Sequence, residues 1–247
     1  MNNIVVYGAT SAIAFQSLKL MAKSGVKFAL AGNNLEKLNI IADDLRARGA
    51  EIKLLEAFDA LDIQKHTSFA RNAQNALKSI DLLFIAHGTL PDNELLRVNN
   101  IEANKHFAIN CNSVISLITS FTSIFEKQNS GTISIISSVA GDRGRQSNFL
   151  YGSAKGALSL YLDGLRNYYK SRNMNIKVVN IKPGMVSTPM TADLPPSPLF
   201  ANVETVAQGI VKAIKSGKEV AYIPGFWKII MLIIRNIPRA VFDKLKL

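Results

Sequence analysis

Tyr151-Gly152-Ser153-Ala154-Lys155 opens a stretch with helical spacing, and an interval of four places a phenol and an ammonium on one helix face. A free tyrosine ionises near about 10, too high for ready proton exchange at neutral pH, and an adjacent cation that stabilises the phenolate draws that value down. Such a pair can protonate a developing alkoxide. The spacing alone is common, and a half-buried tyrosine beside a solvated lysine satisfies it equally. Two further polar groups sharpen it. Ser138, in Ile135-Ile136-Ser137-Ser138-Val139-Ala140-Gly141, follows an apolar run and can hydrogen-bond a substrate carbonyl oxygen. Asn110 falls inside a long helical stretch, an unfavourable place for asparagine unless its amide has a task, such as holding a water beside Lys155; a solvent-facing amide is the alternative.

The elements that must position these groups follow from periodicity. Short apolar runs at 4–7, 27–31, 52–55, 82–86, 132–137, 176–181 and 220–223 read as strands. Between them, 12–24, 35–48, 65–77, 101–125, 151–171 and 203–216 have the length and spacing of helices. Strict alternation with nearly all-apolar strands predicts a single-domain α/β fold, a Rossmann-type doubly wound parallel sheet of about seven strands with helices on both faces. Ligands of such sheets lie beyond the carboxyl ends of the strands.

At the first of those ends, Gly8-Ala9-Thr10-Ser11-Ala12-Ile13-Ala14 opens a helix. A small-residue turn lets main chain approach a pyrophosphate, and the helix N-terminus aims free N–H groups at it. Alanines stand where a glycine-rich turn would have two more glycines, so tight helix–strand packing explains the motif as well. The second strand ends Ala31-Gly32-Asn33-Asn34, with neither the carboxylate that binds a ribose 2′-hydroxyl nor a basic residue for a 2′-phosphate. Gly32 leaves room for that phosphate and Asn33 can donate to it, which tips the reading from NAD(H) towards NADP(H), although the two asparagines also suit a helix cap. Asp59 is placed to accept from an adenine amino group, or is a solvated loop carboxylate.

Composition bounds the setting. The 247 residues are 48% apolar and 19% charged, without tandem repeats or low-complexity tracts. A single cysteine, Cys111, excludes an intramolecular disulfide and a thiolate metal cluster, so no metal is expected and a reducing, cytoplasmic setting fits. Met1-Asn2-Asn3 leads directly into a strand, which is not the pattern of a signal peptide. A net charge of +11 calls for an anionic partner: a phosphate-bearing ligand, nucleic acid or an anionic membrane surface. Nucleic acid is disfavoured, because no recognised binding motif and no basic run interleaved with aromatics is present.

Taken together, these motifs resemble the short-chain dehydrogenase/reductase family over essentially the whole chain. The resemblance implies a catalytic tetrad of Asn110, Ser138, Tyr151 and Lys155, in which Ser138 polarises the carbonyl, Tyr151 is the acid/base, Lys155 binds the nicotinamide ribose and Asn110 supports a proton-relay water. It also implies phosphate contacts from Gly8, Thr10, Ser11 and Ile13, and cofactor contacts from Pro183-Gly184-Met185-Val186-Ser187-Thr188, through Pro183, Gly184, the Val186 main chain and Thr188. Where the family has Asn-Asn-Ala-Gly after the fourth strand, this chain has Ile85-Ala86-His87-Gly88, so Ala86, His87 and Gly88 are expected to border the cofactor by main chain, with an acid–base role for His87 disfavoured. His66 and His106 lie in helical contexts with no motif around them. The family resemblance also implies a homodimer or tetramer.

Between Ser138 and Tyr151 the chain is strongly polar, and Arg143, Arg145, Gln146 and Asn148 are candidate substrate contacts suited to a sugar carrying hydroxyls or phosphate. Internal ion pairs in a solvated loop are the equal alternative. The C-terminal segment 226–247, set apart from a catalytic domain 1–225, joins an apolar run too short to span a bilayer to a basic amphipathic end. It suits a membrane interface, peripheral on the inner face, or else a helix buried in a dimer or against the core. Gly217-Lys218-Glu219-Val220-Ala221-Tyr222-Ile223-Pro224 with the tail through Ile237-Pro238-Arg239 resembles the reductase partner of the decaprenylphosphoryl-ribose 2′-epimerase system. That resemblance implies reduction of a 2-keto sugar on a polyprenyl phosphate, supplied by a separate flavin-dependent oxidase. Reduction of an unrelated soluble or lipid ketone, and a non-catalytic NADP-sensing protein, are the competing readings; a sugar epimerase or dehydratase would need a substrate lobe for which too few residues follow 181.

Overall fold

Alternation of side chains along the strands determines the layers. In β1 (Asn3–Tyr7), Ile4 and Val6 bury on one side of the sheet and Val5 and Tyr7 on the other. The pattern recurs in β2 (Lys27–Gly32), where Phe28 and Leu30 oppose Ala29 and Ala31, and in β4 (Leu82–Ile85), where Leu82 and Phe84 oppose Leu83 and Ile85. With β3 (Glu51–Ala57), β5 (Gly131–Ile136), β6 (Ile176–Pro183) and β7 (Val220–Ile223) these strands form one seven-stranded sheet, every pair parallel, in the order β3-β2-β1-β4-β5-β6-β7. The computed structural model describes residues 1–245.

Each face of the sheet needs a helical layer, and the sequence supplies two. Helices α1 (Ala12–Met21) and α2 (Leu35–Ala47) cover the Ile4, Val6, Phe28 side together with the late helix at Val203–Ser216. On the other side lie α3 (Ile63–Leu77) and the two longest helices, at Ser113–Gln128 and Phe149–Ser171. The chain starts at the centre of the sheet, winds outward to β3 and then returns across β1 to β4. That reversal leaves a crevice above the carboxyl ends of β1 and β4.

Departures from the predicted elements cluster near this crevice. The helix expected over 101–125 is broken into α5 (Asn100–Phe107), a π-helical turn (Ala108–Asn112) and α6 (Ser113–Gln128), preceded by the short α4 (Asn93–Leu96). A π turn widens the backbone locally, a distortion that recurs at functional sites, and Asn110 lies at its middle. The run Asn100–Gln128 is long and apolar enough to cross a membrane by length and composition. Here it is a core element, with Val114, Leu117, Ile118, Phe121 and Phe125 buried against the sheet.

After a 3₁₀ turn (Val139–Asp142) come α7 (Phe149–Ser171), a second 3₁₀ turn (Pro189–Thr191) and α8 (Val203–Ser216). The segment beyond β7 is helical as well, as α9 (Trp227–Asn236) and α10 (Arg239–Phe242). Lys246 and Leu247, the end of the expected apolar and basic tail, lie outside the described residues.

Phe121 sits at the centre of the second layer, fully buried and edge-on to Phe69 with ring centroids 6.0 Å apart. Phe121→Ala is expected to lower unfolding free energy by about 3–5 kcal/mol, read as a fall in the urea midpoint. A loss below about 1 kcal/mol would mean that the layer repacks around the missing ring and does not depend on it.

Candidate active site

Four elements converge above β4 and β5. Ser138 follows β5 and caps the 3₁₀ turn, its hydroxyl accepting from the Ala140 N–H at 3.1 Å, so its own proton is free to be donated elsewhere. The neighbouring Ser137 is turned away and bonds to Asn180 and to the Ile181 carbonyl of β6. Tyr151 and Lys155 stand one helical turn apart near the start of α7, and the Lys155 Nζ lies 5.8 Å from the Tyr151 ring centroid. Gly88, after β4, faces both remaining groups: a Cβ there would stand 2.8 Å from Asn110 Oδ1 and 3.3 Å from Lys155 Nζ. The four residues of the expected tetrad are thus gathered at one place.

Their electrostatics differ from the sequence expectation in one respect. Burial pushes the Tyr151 phenol above its ordinary range, opposed by hydrogen bonding with Ser138. The expected downward pull from Lys155 does not appear, and burial dominates. Lys155 is itself 2% exposed, and its one hydrogen bond among the described residues is a long one, 3.4 Å, to the Ile136 carbonyl. Burial lowers it to about 8.

Asn110 is buried and not solvent-facing. Its amide nitrogen donates to the Thr89 carbonyl, Thr89 Oγ1 and the His106 carbonyl, and its oxygen accepts from the Thr89 N–H. The side chain clamps the turn after β4 to the π segment, and its oxygen, which faces Gly88, keeps a second acceptor position. Thr89, which no motif marks, is the other half of that clamp.

His87 is neutral. Ser113 donates its proton to the Ile109 carbonyl and so accepts from His87 Nε2 at 2.8 Å, an assignment of the tautomer from the network. Burial first, then the charges of Lys155 and His66, depress His87 to about 3, which fits a packing role and not acid–base work. Its ring stands edge-on to Tyr7 at 4.8 Å. His66 is buried against Ser116, and His106 bonds to Thr89 Oγ1.

The crevice fits a dinucleotide. Gly8 has φ of +81°, and a Cβ there would stand 2.5 Å from the His87 nitrogen, so only glycine brings this turn against the Ala86-His87 main chain. Ser11 precedes α1 but makes no side-chain cap, whereas Asn34 and Asn202 cap α2 and α8. The first N–H groups of α1, around Ile13, therefore remain open to an anion. At the end of β2 the Thr10 side chain lies beside Gly32, and Asn33 is exposed and uncommitted, since Asn34 alone serves as the helix cap.

Beyond β6, Pro183 ends the strand, the Val186 N–H has no partner among the described residues, and Thr188 and Thr191 cap the 3₁₀ turn reciprocally. Asp59 Oδ1 accepts from the Leu61 N–H at 2.8 Å, which closes the loop after β3.

The four candidate substrate residues divide. Arg143 donates to the Ile234 and Ile237 carbonyls and stacks on Phe242, its guanidinium 3.6 Å from the ring centroid. Gln146 donates to the Leu245 carbonyl. Both hold the C-terminal tail, a correction that sequence could not foresee because the partners lie about 90 residues or more away. Arg145 and Asn148 have no such tie: Arg145 Nε and Asn148 Oδ1 are buried without a hydrogen-bond partner among the described residues.

Two further groups near the site carry no sequence signal. Asp142 is tied by one oxygen to Lys182 and by the other to the Tyr222 hydroxyl at 2.7 Å, which fastens the loop after Ser138 to β6 and β7. Trp227 of α9 lies flush against Gly184, where a Cβ would stand 1.8 Å from the indole nitrogen.

The family model for short chain dehydrogenases matches residues 2–198. Among curated relatives, an uncharacterized oxidoreductase of Mycobacterium tuberculosis is 28% identical over 242 residues, 98% of this chain and 96% of its own. An uncharacterized oxidoreductase of Streptomyces coelicolor is 28% identical over 244 residues, covering 98% and 95%. Two solved structures share the fold at 20% identity: levodione reductase, with a TM-score of 0.81 over 92% of this chain and 98% of that one, and a short-chain dehydrogenase/reductase from Burkholderia phymatum in complex with NAD, at 0.82 over 94% and 92%. The chain therefore belongs to the short-chain dehydrogenase family and is an NAD(P)-dependent oxidoreductase of that family.

Proposed function

We propose that this oxidoreductase reduces a keto group on a sugar carried by a polyprenyl phosphate, with NADP(H) preferred over NAD(H), and that Ser138, Tyr151 and Lys155 carry the chemistry. The gathering of those three side chains beside the Gly8 crevice is the observation on which the reading rests. The Gly8 turn and the open start of α1 would hold a dinucleotide, which would supply the hydride. Ser138 directs its free proton at the substrate oxygen, and Tyr151 protonates that oxygen as charge develops on it. A phenol held above its ordinary range stays protonated at neutral pH, the form a reductase needs. Lys155 adds positive charge behind it.

Arg145 and Asn148 support a polar, phosphate-bearing substrate. Burial lowers the Arg145 guanidinium, and an anion beside it would offset that cost. The C-terminal resemblance supports the same substrate class, with a separate flavin-dependent oxidase as its source. A lipid-linked sugar is met at the cytoplasmic face of a membrane, and the division into a catalytic part, 1–225, and an attachment segment, 226–247, suits a peripheral seat there. Exposed Leu160 on α7 supports the homo-oligomer expected from the family resemblance. A second reading, reduction of an apolar ketone free in solution, has one observation in its favour. A cavity of about 540 Å³ beside Thr188 is lined partly by Leu194, Pro196 and Phe200.

NADP(H) preference is supported by the lack of a carboxylate at the end of β2, where Gly32 and Asn33 stand. Asn33→Asp is expected to lower the NADPH-to-NADH ratio of kcat/KM by about tenfold or more, and an unchanged ratio would remove the preference.

Tyr151→Phe is expected to cut NADPH-dependent turnover by at least about 100-fold across a panel of keto compounds that includes a lipid-linked keto-sugar, with NADPH affinity within about twofold. Normal turnover would refute the mechanism. Turnover by the unsubstituted protein of apolar ketones alone would select the second reading.

The pH profile gives an independent check. Because the free protein holds Lys155 at about 8, kcat/KM for reduction should be level below that pH and decline above it as the ammonium is lost. A level profile up to about pH 10, the ordinary lysine range, would show that this charge is not required.

A further inference from the structure

Helix α9 is apolar on both of its long faces. Trp227 and Met231 turn inward and are buried with Val139, with Ile230 and Ile234 packed at their edge. Phe226, Ile229, Leu232 and Ile233 form the opposite face and are 44–63% exposed, at spacings of three and four that keep them on one side. Val241, itself exposed, extends the patch into α10. A helix that is apolar all round belongs in low-dielectric surroundings on both sides, and no described residue covers the outer face.

The outer face is bordered by cations. Lys228, Arg235, Arg239 and Lys244 are all exposed, and Asp243 is the one carboxylate between residues 224 and 245. A second copy seated on the same face would bring four such cations from each chain against one carboxylate from each, so like charges would oppose self-pairing. An anionic surface complements the same pattern. At 10 residues, α9 is about 15 Å long against a hydrocarbon core of about 30 Å, so it lies along a bilayer and does not cross it. It is also held in place: Arg143 binds the carbonyls at its end, and Gln146 binds the Leu245 carbonyl.

We propose that this face seats the protein on an anionic phospholipid surface, with Phe226, Ile229, Leu232 and Ile233 at the headgroup–acyl boundary and the four cations at phosphate depth. The seat adjoins the substrate side of the cleft, because Arg143 and Gln146 join the tail to the loop between Ser138 and Tyr151. It deepens the lipid-linked reading above and rests on it for its purpose, while its geometry stands on the tail alone.

Flotation of the full chain with vesicles tests it. The protein should rise with phosphatidylcholine vesicles containing phosphatidylglycerol, stay behind with phosphatidylcholine alone, and be released by salt. Ile229→Asp with Ile233→Asp, and separately Lys228→Glu with Arg239→Glu, should each weaken that binding by about tenfold or more, with turnover of a water-soluble ketone within about twofold of the unsubstituted chain. Absence of flotation, or flotation untouched by both double variants, overturns the proposal. So does an assembly that the aspartate variant dissociates while no vesicle binding is seen, which assigns the face to a second copy. Vesicle binding without turnover of a lipid-linked keto-sugar would instead count against the substrate reading and leave the seat in place.

Discussion

Lys155 is an ammonium buried almost completely with one distant carbonyl as its hydrogen-bond partner, and the site is arranged around that unfavourable desolvation. Glycine at position 88 leaves the space in front of it open, the π turn brings Asn110 to the same place, and α7 carries Tyr151 one turn away. A desolvated cation is held ready in a crevice suited to anionic and hydroxyl groups. Its depressed ionisation follows from the same burial that orients it.

The crevice itself is a consequence of layer packing. Strands that bury both faces must be covered on both sides, and parallel strands need helical crossovers, so the chain winds outward from β1 in each direction. At the reversal between β1 and β4 no crossover fills the space above the strand ends. Gly8 and the uncapped start of α1 border one side of that space, and the Gly88 turn borders the other. The same topology that buries the core therefore leaves main-chain donors facing a ligand.

The loop after Ser138 is secured twice by adjacent residues. Asp142 fixes it to the sheet through Lys182 and Tyr222, and Arg143 fixes it to the tail through the carbonyls at the end of α9. Trp227 closes the arrangement against Gly184 of the turn after β6. The loop after Ser138, the turn after β6 and the C-terminal helix thus share one packed unit.

The alternating apolar runs were enough to read the sheet, its parallel sense and its two helical layers, because burial on both faces leaves a periodic record in local sequence. The Tyr151–Lys155 interval, Ser138 and the Gly8 turn were legible for a similar reason: each is a short-range pattern whose geometry is set within a few residues. Other features depend on contacts between distant segments. The π turn that joins Asn110 to Thr89 and the engagement of Arg143 and Gln146 by the tail both belong to this class. No local pattern encodes which carbonyl a guanidinium will meet across 91 residues of chain; only the packed tertiary structure decides it.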